Sequence, residues 1–253
     1  MPTAGVEFAK VSYTPAGGPS LLRGISLTLD AGTTTALLGR SGAGKTTLLR
    51  TVNGLVQPTS GEVRVNGQTV SAAQDAEELA NLRRGIGYVI QETGLFPHMT
   101  IERNAALSLE LAGRPKADRE SRAREVLEQV GLDFDSVRGR LPWQLSGGQR
   151  QRVGVARALA IDPSVILMDE PFGALDPLTR SEMQAMFLDL QLRMRKTVVL
   201  VTHDLGEALR LADRVVILSE GEVVADLSAD EVFQSKNPHV VEYVSSVIHS
   251  YKA

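Results

Sequence analysis

Eight residues set the chemistry this chain can do: Gly39, Arg40, Ser41, Gly42, Ala43, Gly44, Lys45 and Thr46, which match the spacing G-x-x-x-x-G-K-[ST]. The apolar stretch 34–38 precedes them and a helical pattern starts at Lys45, and this strand–loop–helix context gives the spacing its meaning. The glycines let the backbone wrap closely and aim N–H groups at phosphate oxygens. The helix N-terminus behind them adds partial positive charge. Lys45 is suited to the β and γ phosphates of a nucleotide and the Thr46 hydroxyl to Mg²⁺. The plainer alternative, a Gly-rich turn that happens to hold a Lys, explains neither the full spacing nor the context.

A second constellation follows downstream. Val165, Ile166, Leu167 and Met168 run into Asp169 and Glu170. In a parallel sheet the strand's C-terminal end faces the same edge as the phosphate loop. Asp169 is then placed to hold Mg²⁺ through water, and Glu170 to polarise an attacking water as general base. A solvated acidic strand end is the competing reading. A third constellation is Leu145, Ser146, Gly147, Gly148 and Gln149, ahead of an apolar helix through Val153, Ala156 and Leu159. Ser-Gly-Gly at a helix start suits an anion without any Lys. Two phosphate-suited helix starts in one chain are odd for an enzyme with a self-contained site.

These elements, in this order, resemble the ATP-binding cassette family of transporter ATPases over nearly the whole chain. Residues 39–46, with Thr47 after them, look like its Walker A motif, and residues 145–149 like its signature motif. Gln91 looks like the Q-loop glutamine, a further Mg²⁺ contact, and Asp169 and Glu170 look like Walker B and the catalytic glutamate. Residues 173–176, ending in Asp176, look like the D-loop. His203 looks like the switch histidine, and Tyr13 like the A-loop aromatic that stacks on adenine. The resemblance implies a RecA-like P-loop NTPase core, with an N-terminal antiparallel β subdomain and an inserted helical subdomain. It also implies catalytic roles for Glu170, His203, Gln91 and Lys45, with ATP and Mg²⁺ as cofactors. Each ATP would lie between one subunit's phosphate loop and the Ser146 and Gly148 of a second copy. That homodimer would drive separate transmembrane permease subunits, with a solute-binding protein as a further partner.

Residues 87–100 look most like importers of quaternary amines such as glycine betaine and choline, with importers of amino acids, sulfonates or other solutes as alternatives. Many such cassettes carry a C-terminal extension of paired repeats, and the sequence leads to the expectation that none follows here. A DNA-repair, chromosome or translation ATPase of the same family usually shows a long coiled coil, tandem cassettes or a basic surface. None is visible.

The elements that must position these residues are legible in outline. Ile25, Leu27 and Leu29 alternate with Ser26, Thr28 and Asp30, the period of a half-buried strand. Asn66-Gly67 marks a hairpin. Short apolar strands at 34–38, 86–90, 165–168, 198–202 and 215–218 alternate with helices, which predicts a mostly parallel sheet covered on both faces. The segment 100–160 is rich in helix formers, with helix starts expected at Thr100 and Asp118. A single cassette over 1–253 with a helical lobe at about 95–160 is therefore expected, closed by one or two helices beyond Ala229. Arg122, Arg124, Glu125 and Glu128 are expected to form a solvated helix face. His98 and Trp143 are assigned to loop packing or a partner surface.

Composition narrows the classes. The chain has 253 residues, 43% hydrophobic and 23% charged, with a net charge of −3, which argues against nonspecific nucleic-acid binding. The absence of Cys excludes disulfides and thiolate metal sites. No apolar run approaches the roughly 20 residues of a membrane helix, and the N-terminus lacks a signal-peptide pattern. The expected location is cytoplasmic, peripheral on the inner face of the membrane.

Overall fold

The computed structural model describes residues 4–70 and 76–250. Its strands are β1 (Ala4–Tyr13), β2 (Leu22–Asp30), β3 (Thr34–Leu38), β4 (Ser60–Val65), β5 (Gln68–Thr69), β6 (Ile86–Val89), β7 (Val165–Asp169), β8 (Thr197–Val201), β9 (Arg214–Ser219) and β10 (Glu222–Ser228). The chain divides into two compact units, Met1–Arg83 with Thr197–Ala253, and Arg84–Lys196.

In the first unit β2, β1, β4 and β5 form an antiparallel sheet in that order. Along β2 the residues Ile25, Leu27 and Leu29 are buried, and Ser26 and Thr28 are exposed, as the alternation predicts. The β4–β5 hairpin turns at Asn66 (φ 49°) and Gly67 (φ 79°), the two positive φ angles of a type I′ turn. The second sheet of this unit runs β10-β9-β3-β8. β3 pairs in parallel with both β8 and β9, and β10 closes antiparallel on β9. Every residue of β3 and of β8 is buried, which is why these strands read as unbroken apolar or Thr-containing runs with no alternation. Ala36 and Leu38 of β3 pack with Val215 and Ile217 of β9 and with Leu205 and Ala208 of the helix Leu205–Leu211. Val240 of the C-terminal helix Pro238–Ser250 is buried in the same cluster.

The second unit contains β6 and β7, paired in parallel, and a set of helices. The helices are Ile101–Ala105, Leu107–Leu111, Lys116–Gln129, Phe134–Val137, Gly147–Leu159 and Pro177–Met194. Thr100 caps the first of them by accepting from the Arg103 N–H at 3.3 Å. The start expected at Asp118 lies two residues earlier: Pro115 occupies the cap and Asp118 sits in the first turn. There its charge complements the helix dipole in place of capping it.

The helix face expected to be solvated is partly a set of structural contacts. Arg122 donates to the Leu159 and Ala160 carbonyls at 2.9 and 3.0 Å, so it closes the C-terminal end of the helix Gly147–Leu159. Arg124 makes a bidentate pair with Asp135, both bonds 2.9 Å, and stacks on buried Phe134 at 4.2 Å. A cation over an aromatic face and an Arg fork on a carboxylate both favour fixed geometry over free hydration. His98 stacks edge-on to Phe96, 6.0 Å between ring centroids. Trp143 is 70% exposed, so it does not serve loop packing within the chain.

Candidate functional site

In the first unit the loop after β3 has the form its residue types demand. Gly44 caps the helix Lys45–Val52 with φ 98°, and a Cβ there would stand 2.6 Å from the Leu21 carbonyl oxygen. Only glycine combines that conformation with that approach. Ser41 and Gly42 are exposed and Thr46 and Thr47 half-buried, whereas Lys45 is only 6% exposed. Its ammonium donates to the Gly39 carbonyl at 2.8 Å and to the Arg40 carbonyl at 3.0 Å. The loop thus folds around its own cation, holding a positive charge beside backbone that can turn its N–H groups to an anion.

The flank of this loop, residues 39–43, lines a cavity of about 440 Å³ shared with the end of β9 and with His239, Glu242 and Tyr243 of the C-terminal helix. Lys45 and Thr46 do not line it, so it lies beside the phosphate cradle. Arg40 and Glu242, which both line it, pair at 2.8 Å. Both side chains are largely exposed, so the pair contributes little stability. Tyr13 ends β1, half-buried. His203 follows β8 and is exposed. Next to it Asp204 caps the helix Leu205–Leu211 by accepting from the Glu207 N–H at 3.1 Å.

In the second unit β7 ends at Asp169, 6% exposed, with Glu170 beyond it. Glu170 has φ 46°. A non-glycine residue in that region costs on the order of 1–3 kcal/mol and is held there by its surroundings, here by a turn closed from the Gly173 N–H to the Glu170 carbonyl. Tyr88 of β6 donates its phenol to Asp169 at 3.3 Å. Sequence reasoning missed this residue. Its one signal was a polar aromatic within an otherwise apolar strand. Gln91 is exposed, and its amide approaches the Glu170 carboxylate at 3.5 Å, so the two side chains share one edge of this unit.

Ser146 caps the helix Gly147–Leu159 through a capping box: its hydroxyl accepts from the Gln149 N–H at 3.2 Å, and the Gln149 side chain accepts from the Ser146 N–H at 3.0 Å. Ser146 and Gly147 are exposed and Gly148 is buried, where a Cβ would press on Thr179. The same helix braces the segment after Gln91. Arg157 donates to the Thr93 and Gly94 carbonyls, both at 2.7 Å, and burial pushes its guanidinium below the usual value. Asp176 caps the helix Pro177–Met194.

Both groups of the expected cofactor set find suitable residues. The glycine backbone of 39–46, carrying Lys45, suits a polyphosphate. Each unit by itself carries oxygen donors of the kind Mg²⁺ takes: the Thr46 hydroxyl in the first, the buried Asp169 carboxylate and the Gln91 amide in the second. Among the described residues there is no cluster of three or more His, Cys, Asp or Glu that could hold a metal ion.

A parallel sheet whose strand runs into a glycine-rich loop and a Lys-headed helix defines a P-loop nucleotide-binding fold. The model of the ABC transporter family matches residues 22–173. The chain belongs to that family. It is 45% identical over 240 residues to the glycine betaine/carnitine/choline transport ATP-binding protein OpuCA of Bacillus subtilis, covering 94% of this chain and 62% of that protein. It is 47% identical over 208 residues to the osmoprotectant import ATP-binding protein OsmV of Salmonella typhimurium, covering 82% and 53%. The chain therefore spans little more than half the length of the curated relatives it matches. Among solved structures, cbiO1 from Clostridium perfringens, part of the transporter complex cbiONQ, superposes with TM-score 0.84 at 26% identity, covering 99% of this chain and 100% of that one. A dimeric post-hydrolysis structure of the cassette MJ0796 bound to ADP and Pi gives 0.79 at 34%, covering 88% and 98%.

Proposed function

We propose that this chain binds ATP at the loop 39–46, hydrolyses it, and powers import of a quaternary-amine osmoprotectant through separate permease subunits at the inner face of the membrane. The observation that carries the reading is the ordered set of Lys45, Gln91, Ser146 with Gly148, Asp169 with Glu170, and His203, each at the end of a strand or the start of a helix. The similarity to OpuCA and OsmV supports the solute class.

In this reading Lys45 and the loop amides hold the β and γ phosphates, and Tyr13 stacks on the adenine. Thr46, Asp169 and Gln91 would hold Mg²⁺, whose charge offsets that developing on the phosphoryl oxygens. Glu170 takes a proton from the attacking water. His203 contacts the γ-phosphate. Ser146, Gly147, Gly148 and Gln149 serve the ATP of a second copy, so each nucleotide is bound by two chains. Association on ATP and separation after hydrolysis are the motion delivered to the permease, with a solute-binding protein supplying the solute.

The test is Glu170→Gln. Removing the base while keeping the side chain's shape should lower turnover at least about a hundredfold and leave ATP binding intact. The variant should accumulate as an ATP-bound dimer in gel filtration with light scattering. Monomer at saturating ATP would refute the shared site.

A further inference from the structure

We infer that Tyr243 is a positioning residue for His203: the C-terminal helix fixes the backbone from which the histidine reaches its substrate. The inference rests on the proposed ATPase reading and deepens it. The Tyr243 phenol donates to the His203 carbonyl oxygen at 2.8 Å, across 40 residues of sequence. Three other bonds hold the same short segment. The Thr202 N–H donates to the Leu37 carbonyl of β3 at 3.2 Å, the Asp204 N–H donates to the Thr202 hydroxyl at 3.0 Å, and the Asp204 carboxylate caps the next helix. The segment before and after His203 is thus tied to β3 and to the helix Leu205–Leu211. At His203 itself, Tyr243 supplies the bond to the carbonyl.

The helix is built to deliver that phenol. Asn237 anchors its start, donating to the Val224 carbonyl at 2.8 Å and accepting from the His239 N–H at 3.0 Å. Val240 is buried in the cluster over β3 and β9, and Tyr243 and Val244, three and four residues on, pack against it. Two anchors one turn apart leave the phenol little freedom. Burial, with the Asp204 carboxylate nearby, pushes the Tyr243 phenol up to about 12, so it remains a protonated donor throughout the physiological range. The Arg40–Glu242 pair lies one residue away on the same helix. One helix therefore touches both the phosphate loop and the His203 backbone.

Orientation governs this histidine because a side chain at a strand end inherits its direction from the peptide planes on either side. Losing the carbonyl bond leaves the 203–204 peptide held only from its Asp204 N–H side, by the Thr202 hydroxyl, so its tilt and with it the direction of the imidazole are less sharply set. The nucleotide-binding loop keeps its shape, since Lys45 is held by other groups.

The experiment is Tyr243→Phe in the full chain, which removes one hydroxyl and keeps the apolar packing. We expect kcat for ATP to fall about three- to tenfold, the scale of one neutral hydrogen bond, with KM for ATP within about twofold and Tm within about 2 °C. Val241→Ala, an exposed position on the same helix, should leave all three unchanged. A Tyr243→Phe protein with wild-type kcat overturns the inference and leaves the ATPase reading standing. A loss seen in Tm or KM with kcat retained also overturns it, because the contact would then be structural. Wild-type protein without ATP turnover removes the ATPase reading and this inference with it.

Discussion

Lys45 occupies its place because the helix Lys45–Val52 begins there and Gly44 turns the chain into it. The buried Lys45 ammonium donates to the Gly39 and Arg40 carbonyls and can exchange them for phosphate oxygens of greater negative charge. Lys45→Ala should therefore weaken ATP binding by roughly 10- to 150-fold, the range for a hydrogen bond to a charged group. Nucleotide titration by calorimetry reads this directly, and unchanged affinity would refute the phosphate-loop assignment. Lys45, Asp169 and Glu170 were legible in the sequence because their spacing along the chain is itself the signal. Tyr88, Arg122 and Tyr243 were not. Their partners lie 81, 38 and 40 residues away, and such contacts exist only once the fold has brought the elements together.

Helix starts set the polar geometry of the second unit. Ser146 caps one helix and Asp176 another, each with a side-chain oxygen on backbone N–H groups. The Asp176 carboxylate is held below its ordinary value first by the Thr179 hydroxyl, then by the Thr179 and Leu178 N–H groups. A depressed carboxylate stabilises the fold above its unfolded value, near 3.8, and that contribution is lost as pH falls through the lower folded value. Asp176→Ala should thus lower Tm at pH 7, and the gap to wild type should narrow steadily below about pH 4. Melting curves from pH 3 to 7 check this, and a constant gap would mean that the uncharged acid caps as well as the carboxylate. At this scale the sequence was readable where the rule is local. The alternation of β2, the Asn66-Gly67 turn and the Thr100 cap all follow from neighbours within four residues. The start expected at Asp118 shifted to Lys116 because Pro115 already supplies a helix-compatible φ of −54°.

Over the whole molecule, the proposed ATP residues divide between the two compact units. The first carries Tyr13, the loop 39–46 and His203, and the second carries Gln91, residues 145–149, Asp169 and Glu170. The start of the helix Gly147–Leu159 exposes Ser146 and Gly147 with a helix dipole behind them and no Lys of its own. In the proposed reading this start is a half-site completed by the phosphate loop of a second copy, and two copies related by a two-fold axis would each lend the other what it lacks. Dimerisation and catalysis are then one event, and rate must follow the dimer population. At saturating ATP, and at protein concentrations well below the dimerisation constant, total ATPase rate should rise with the square of concentration, so that turnover per chain doubles when concentration doubles. It should become linear only once dimer predominates. Assays over a hundredfold dilution series, alongside light scattering to locate that constant, decide the matter: a rate linear throughout the monomeric range would mean that one chain completes its own site.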